Sequence, residues 1–140
     1  MKDNIIILII KHILIIISII NIINCQKIVN GPSDKYVELN KNVILECRID
    51  DFKDDVDLVE WCKNDFCTWG RVIELENGIL QYKSLTKYFI TGDRKRGEWN
   101  LLIQNVTESE IGDYECTVTR RADTIKKVYS NKARVKLMGK

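Results

Sequence analysis

The stretch NVTESEIGDYEC, residues 105–116, decides the fold of this 140-residue chain. It reads as the end of one strand, a tight corner and the start of a second strand that carries Cys116. Tyr114 stands two residues before Cys116, and Gly112 stands two residues before Tyr114. This spacing is typical of the corner at which a β-sandwich chain crosses between its two sheets. Such a cysteine needs a partner on a facing strand and a tryptophan packed against the bridge.

Both partners occur upstream, as Cys47 and Trp61. Short alternating segments separated by turn residues fill the rest of the chain, which is the pattern of an all-β sandwich. We therefore predict an immunoglobulin-like, variable- or intermediate-type two-sheet sandwich over residues 35–138, with single strands over 43–49 and 128–137. Its predicted core signature is the Cys47–Cys116 disulfide with Trp61, Tyr114 and Gly112, and the other inward residues are Val43, Leu45, Ile49, Val59, Trp99, Leu101, Ile103, Val118, Ala133, Val135 and Leu137.

The N-terminus has a different composition. Residues 5–23 are almost entirely Ile and Leu, interrupted mainly by Lys11 and its neighbour. This pattern predicts a secretory signal over residues 1–25, cleaved after Cys25, and then a flexible lead-in over 26–34. The alternative is an uncleaved membrane anchor, in which the lysine would cost ~2.5–3.5 kcal/mol at mid-bilayer. Either outcome places the domain outside the cytosol, and we expect a secreted or extracellular protein.

Charge and residue content exclude several functions. Removing residues 1–25 takes away Lys2, Lys11 and Asp3, so 22 basic and 20 acidic residues become 20 and 19. Nucleic-acid binding would require a strongly basic face, which this balance does not predict. The only histidine, His12, lies in the predicted signal, so the mature chain offers no Ser–His or Cys–His pair. No Gly-rich phosphate loop follows a strand, and we expect neither enzyme activity nor a cofactor.

Four cysteines remain after cleavage, an even number that favours two disulfides in an oxidising compartment. Cys62 and Cys67 flank a turn signal at Asn64-Asp65, so a local disulfide across a hairpin is predicted. Two free thiols or half a zinc site are the alternatives, although zinc usually takes four ligands. The five aspartates of residues 50–57 could hold Ca²⁺, but their spacing matches no EF-hand, and a solvated loop without metal is expected.

Two further surface features carry hypotheses. Asn105-Val106-Thr107 is the only N-glycosylation sequon of the chain, and we expect Asn105 to be glycosylated, with an unused sequon as the alternative.

The acidic loop at 50–57 and the basic loop at 120–127 are expected at one end of the sandwich, where they would attract each other. A weak sulfated-glycan site is the rival use of the basic residues Arg94, Lys95, Arg96, Arg120, Arg121, Lys126 and Lys127.

Two segments resemble a known family of adhesion proteins. Residues 59–66, VEWCKNDF, with Gly70 beyond them, are similar to a V-E/Q-W-T-K-D-G-F-x-L-G hairpin. Residues 88–103, which contain YFITGD and GEWNLLI, are similar to an R-Y-x-V-x-G-D…G-E-Y-N-L-x-I segment. The chain thereby resembles the N-terminal immunoglobulin domain of the irre cell recognition family (roughst, kirre, the nephrin-like Kirrel group and nematode SYG proteins). Variable-type domains also place a salt bridge at positions that correspond here to Lys87 and Glu110.

The resemblance implies binding to another immunoglobulin-superfamily surface protein, homophilically or to a nephrin-like partner. The implied contact uses the sheet with the tryptophan strand, the hairpin after it and the last two strands. Phe66 and Trp69 are the best candidate anchors, and core packing under the hairpin is the alternative. Cys62 and Cys67 depart from the family, which has Thr and a small or apolar residue there. The implied outward residues are Glu60, Cys62, Phe66, Trp69, Glu115, Thr117, Thr119, Arg134 and Lys136.

These observations lead to one principal hypothesis, a secreted single-domain cell-recognition protein that binds an immunoglobulin-superfamily receptor. The runner-up is a truncated or spliced fragment of a multi-domain membrane receptor, and the third is a soluble glycan-binding module. A homodimer is compatible with the first.

Overall fold

The computed structural model describes residues 2–23, 27–53, 55–67, 69, 72–120 and 127–139. Helix α1 (Lys2–Ile23) covers the apolar N-terminal segment. Within these ranges, no helix combines the length and the hydropathy that a membrane crossing requires. The predicted cleavage point after Cys25 lies outside them. The strands are β1 (Lys27–Asn30), β2 (Lys35–Val37), β3 (Val43–Leu45), β4 (Arg48–Asp50), β5 (Asp57–Lys63), β6 (Val72–Glu74), β7 (Leu80–Tyr82), β8 (Tyr88–Thr91), β9 (Asn100–Ile103), β10 (Gly112–Arg120), β11 (Lys127–Tyr129) and β12 (Ala133–Leu137).

Two five-stranded sheets face each other. In the β10 sheet, β10 pairs antiparallel with β5 on one side and with β11 and β12 on the other, and β12 pairs in parallel with β2. The β9 sheet has the order β3-β9-β8-β7-β6. This architecture confirms the predicted two-sheet immunoglobulin-like sandwich. One-turn 3-10 helices cover Arg94–Arg96 and Glu108–Glu110.

The core lies between the sheets, where alternation along each strand directs apolar side chains inward. Trp61 is fully buried, and its indole N–H donates to the backbone oxygen of Trp99 at 2.9 Å. The Cys47–Cys116 disulfide joins the two sheets, with its Cα atoms 6.4 Å apart. Closing a loop of about 70 residues in this way is worth roughly 4 kcal/mol on the chain-entropy model. The predicted bridge is confirmed, and an energy of this size would be a large share of the stability of a small domain.

The corner has the geometry that its sequence predicts. The Tyr114 hydroxyl donates to the backbone oxygen of Glu110 at 2.6 Å. Burial raises the pKa of Tyr114 far above its usual range, so that the hydroxyl keeps the proton it donates. Gly112 has φ +156°, and a Cβ there would lie 2.8 Å from the side-chain oxygen of Asn64. The glycine thus allows the corner to pack against the hairpin that follows β5.

The expected flexible lead-in is wrong for Lys27–Asn30, which forms β1 and pairs antiparallel with β4. Ile28 packs partly buried against the core, and this gain of apolar contact stabilises the strand. Pro32 is fully buried, and its backbone oxygen accepts from the Asn131 amide at 2.6 Å. These contacts hold the segment before β2 against the sandwich.

Two strands predicted as continuous are each divided. Cys47 lies between β3 and β4. Its backbone oxygen accepts a hydrogen bond from the Trp99 N–H at 2.7 Å, and its own N–H donates to the Asn100 side-chain oxygen at 3.0 Å. Ser130, between β11 and β12, uses its hydroxyl oxygen to accept the Cys116 N–H at 3.0 Å. Side chains thus replace regular ladder bonds at both breaks, while the inward residues on either side of each break remain buried.

Candidate functional site

The outer face of the β10 sheet collects the residues that alternation directs away from the core. Register places Thr117 opposite Glu60 on β5 and opposite Tyr129 on β11. The same register aligns Thr119 with Leu58 and with Lys127. We call this surface the outer β10 face; its members are Tyr36, Leu58, Glu60, Cys62, Asp113, Glu115, Thr117, Thr119, Lys127, Tyr129, Arg134 and Lys136, with the hairpin residues Asp65 and Phe66 and the neighbouring Lys132 at its edge.

Ion pairs cross this face. Lys127 Nζ lies 2.8 Å from Glu60 Oε2, so the lysine spans from β11 over β10 to β5. Arg134 contacts both carboxylate oxygens of Asp113, at 2.5 and 2.9 Å, and this guanidinium lowers the pKa of Asp113. Lys132 pairs with Asp65 at the hairpin. The charges of the face are thus largely compensated within it.

Two predicted contact residues do not reach the surface. Thr117 is fully buried because the Lys127–Glu60 pair passes over it, and its hydroxyl lies 3.4 Å from the backbone oxygen of Glu60. Glu115 is 8% exposed, opposite Cys62 in the register and near the charge of Lys132. The prediction that both residues form the contact surface is wrong: they point outward, but their neighbours cover them.

The hairpin after β5 is a tight turn closed by a disulfide. Asn64 and Asp65 both have positive φ, 49° and 67°, the backbone that a two-residue hairpin turn of type I′ requires. Lys63 and Phe66 exchange two backbone hydrogen bonds of 2.9 Å each. The predicted Cys62–Cys67 disulfide is confirmed, with Cα atoms 4.0 Å apart. This separation lies just below the usual range and fits two cysteines facing each other across a hairpin.

The two candidate anchors have opposite environments. Phe66 is 61% exposed on the hairpin, whereas Trp69 is 6% exposed. The Trp69 ring makes edge-to-face contacts with Tyr82, Tyr88 and Tyr114, at centroid distances of 5.3, 5.1 and 6.1 Å. Trp69 is therefore a core residue, and the prediction that it is an interface anchor is wrong. Gly70, the end of the quoted family motif, and Arg71, at the start of the next predicted strand, lie outside the described residues.

Three exposed apolar residues of this face were missed from sequence. Tyr36 is 64% exposed, Tyr129 56% and Leu58 45%. Lys136 Nζ lies 5.7 Å from the Tyr36 ring, and Lys127 Nζ lies 5.9 Å from the Tyr129 ring. In the strand register, Tyr129 lies opposite Thr117 and Tyr36 lies opposite Lys136, so both tyrosines point outward. This outward direction is the signal that could have identified the two tyrosines. Of the other predicted contact residues, Arg134 and Lys136 are exposed, Glu60 and Thr119 are half-buried, and Cys62 is buried in its disulfide.

The predicted bridge at the far end of the sandwich is a structural feature. Lys87 Nζ lies 3.3 Å from Glu110 Oε2, and Glu110 is buried. Burial alone would raise the pKa of Glu110, but hydrogen bonds from Thr107, Ser109 and Lys87 lower it to about 2. The adjacent sequon residue Asn105 is exposed.

The basic residues proposed for a glycan site already have acidic partners in several cases. Arg120 Nε lies 3.2 Å from Asp57 Oδ1, Lys127 is held by Glu60, and Arg96 lies 3.8 Å from Glu98. The Arg120–Asp57 pair joins the end of β10 to the start of β5, and residues 54 and 121–126 of the acidic and basic segments lie outside the described residues. Over the described ranges, no three His, Cys, Asp or Glu side chains are grouped to hold a metal ion.

Comparisons with known proteins give both curated relatives and solved structures that this chain resembles. The chain is 30% identical over 113 residues to synaptogenesis protein syg-1 of Caenorhabditis elegans, a match that covers 81% of this chain and 14% of that protein. The chain therefore spans about one seventh of the relative's length. A structure of Duf (Kirre) D1 superposes with a TM-score of 0.64 at 21% identity, covering 81% of this chain and 97% of that one. Rst D1-D2 gives 0.66 at 20% identity, covering 80% and 48%. No protein-family model matches the chain.

Proposed function

Since the chain carries an N-terminal-type immunoglobulin domain of the Kirre/Rst/SYG family of cell-recognition proteins, we propose that it is an extracellular recognition module. It binds an immunoglobulin domain of another surface protein, either a second copy of itself or a related receptor. The contact is made by the outer β10 face.

The observation that carries this proposal is the exposed apolar set on that face. Phe66, Tyr129 and Tyr36 each expose more than half of their surface, and Leu58 exposes 45%. Aromatic side chains of this kind supply much of the binding energy at protein interfaces. Placed around one sheet, they give the domain several anchors for a partner of similar size.

The charges of the face favour the same use. Burying an isolated ion is costly, but a pair that is already formed leaves no uncompensated charge when a partner covers it. Lys127–Glu60 and Arg134–Asp113 meet this condition before binding. The face therefore repels neither a second copy nor a neutral partner, and its charges serve to fix register.

A row of apolar side chains on the outer face of the β9 sheet is the rival surface. Register aligns Ile44, Leu102, Phe89 and Ile73 across this sheet, with Gln81 between the last two. Ile44 is 48% exposed, whereas Leu102, Phe89 and Ile73 are half-buried. The outer β10 face offers the larger exposed aromatic surface, and we propose it as the binding surface for this reason.

Binding to immobilised Kirre D1, to Rst D1-D2, to the matching region of syg-1 and to a second copy of the chain tests the proposal. Phe66→Ala and Tyr129→Ala should each weaken the interaction about tenfold or more, as expected for anchors worth over ~1.4 kcal/mol. Ile44→Ala is the matched control, an exposed apolar truncation on the opposite sheet, and should leave the affinity unchanged. Loss of binding with Ile44→Ala alone would move the contact to the β9 sheet and refute the proposal.

Export and modification complete the proposed function. Residues 1–25 act as a cleaved signal, the domain is released to the extracellular space, and Asn105 carries a glycan. Asn105 lies at the corner between β9 and β10, where it is exposed and is not one of the members of the outer β10 face. A glycan there leaves the binding surface accessible.

A further inference from the structure

Several independent interactions fix the hairpin of residues 62–67, more than a hairpin of six residues needs in order to form. Its turn residues already have the backbone conformation of a two-residue hairpin, and Lys63 and Phe66 already exchange two hydrogen bonds. The Cys62–Cys67 disulfide then closes the same short loop covalently. On the chain-entropy model a bond across six residues restricts the unfolded chain about half as much as one across about 70, so Cys47–Cys116 makes the larger contribution to the fold.

The remaining supports converge on the backbone that carries Phe66. The Trp69 indole N–H donates to the Phe66 backbone oxygen at 3.0 Å from the core side. Lys132 holds Asp65, and the Asn64 side chain accepts the backbone N–H of Asp113 at 2.9 Å. The backbone is therefore held by the core, by β10 and by the segment between β11 and β12, while the Phe66 side chain projects into solvent.

An exposed aromatic side chain on a mobile loop would lose conformational freedom when a partner binds, and this loss weakens affinity. A hairpin that is already fixed avoids the loss. We infer that the Cys62–Cys67 disulfide is a positioning element for recognition: it holds Phe66 in its projecting position and so determines which partner surface this aromatic side chain can enter. The inference rests on the proposed function, because it assigns the disulfide a role in that same contact.

A double-mutant cycle separates positioning from general stability. The parent chain, Phe66→Ala, the double variant Cys62→Ala with Cys67→Ala, and the triple variant are compared for binding to Kirre D1, Rst D1-D2 and a second copy. Removing the disulfide should weaken binding about tenfold when Phe66 is present and should have no further effect when Phe66 is Ala. The Cys47–Cys116 bond remains in all four proteins, and a cooperative urea transition in each verifies that the sandwich is folded.

Hydrogen exchange gives an independent readout of the hairpin. Loss of the disulfide should accelerate exchange at the Phe66 and Lys63 amides and leave Val118, at the centre of β10, protected. Equal binding with and without the disulfide, or the same loss in both Phe66 backgrounds, would overturn the inference while leaving the proposed function intact. Failure of the parent chain to bind every probe would instead refute the proposed function, and with it this role for the disulfide.

Discussion

Replacing Trp69 distinguishes the two roles considered for this residue, an interface anchor and a member of the core. Trp69 is 6% exposed and contacts three tyrosine rings edge to face. Truncating a buried Trp to Ala costs about 3–5 kcal/mol, and each aromatic contact is worth ~0.5–1.5 kcal/mol beyond its buried area. We therefore expect Trp69→Ala to lower the free energy of unfolding by about 4 kcal/mol, a large share of the ~5–15 kcal/mol of a small domain.

Trp69→Phe is the milder companion variant. It keeps an aromatic ring in the cluster but removes the indole donor to Phe66 and part of the volume. The Phe66 oxygen still accepts from Lys63, so no acceptor is orphaned. The expected loss is about 1–2 kcal/mol. Leu58→Ala, an exposed truncation on β5, should remain within about 0.5 kcal/mol of the parent.

Urea unfolding of the oxidised protein, followed through the fluorescence of Trp61 and Trp99, measures these differences. The same proteins are then tested for binding. Trp69→Phe should retain most of the affinity despite its lower stability, whereas Phe66→Ala should lose affinity and keep its stability. A Trp69→Ala cost below about 1 kcal/mol, together with lost binding, would show that Trp69 is a surface anchor and not a core residue.

Two further predictions concern the corner and the maturation of the chain. Glu110 has a folded-state pKa of about 2, below its ordinary 4.5, so its stabilisation is present above pH 4.5 and is lost as the pH falls towards 2. Acid unfolding should show this loss, up to about 3 kcal/mol, and Glu110→Gln should flatten that part of the profile. An intact-mass measurement of secreted protein should give a chain that begins at Gln26 and carries two disulfides and a glycan. Asn105→Gln should remove the glycan, and Thr107→Ser should retain it. An unglycosylated chain that begins at Met1 would contradict both expectations.

The fold was predictable because its signals are local. Tyr114 and Cys116 are two residues apart, and a spacing of this kind fixes which side chains share a face. The turn at Asn64 and Asp65 was equally visible, because both residue types tolerate positive φ. Predictions of this kind depend only on the chain within a few residues, and the structure agrees with them.

Exposure was harder to predict because it depends on side chains from other strands. Thr117 points outward as its alternation requires, yet Lys127 reaches across from β11 and covers it. The burial of Trp69 depends on three tyrosines, of which the most distant in sequence, Tyr114, is 45 residues away. Tyr129 was overlooked although its register with Thr117 places it on the same face. Sequence alternation therefore gives the direction of a side chain, and only the packed neighbours decide whether a partner can touch it.

Under the proposed function, the two disulfides serve different purposes: Cys47–Cys116 stabilises the fold, and Cys62–Cys67 positions a residue for recognition. Cys47–Cys116 lies at 0% exposure between the sheets, where any change would open the core. Cys62–Cys67 lies on the outer side of β5, where Cys62 is also fully buried but the neighbouring Phe66 is 61% exposed. Exposed residues such as Phe66, Tyr129 and Leu58 can then be replaced at a cost of about 0.5 kcal/mol or less in stability. The same substitutions change affinity by tenfold or more if the outer β10 face is the contact. If that face is the contact, substitutions on it can change the partner without loss of the fold. On the same condition, the Cys62–Cys67 disulfide holds one aromatic contact residue, Phe66, in a fixed position.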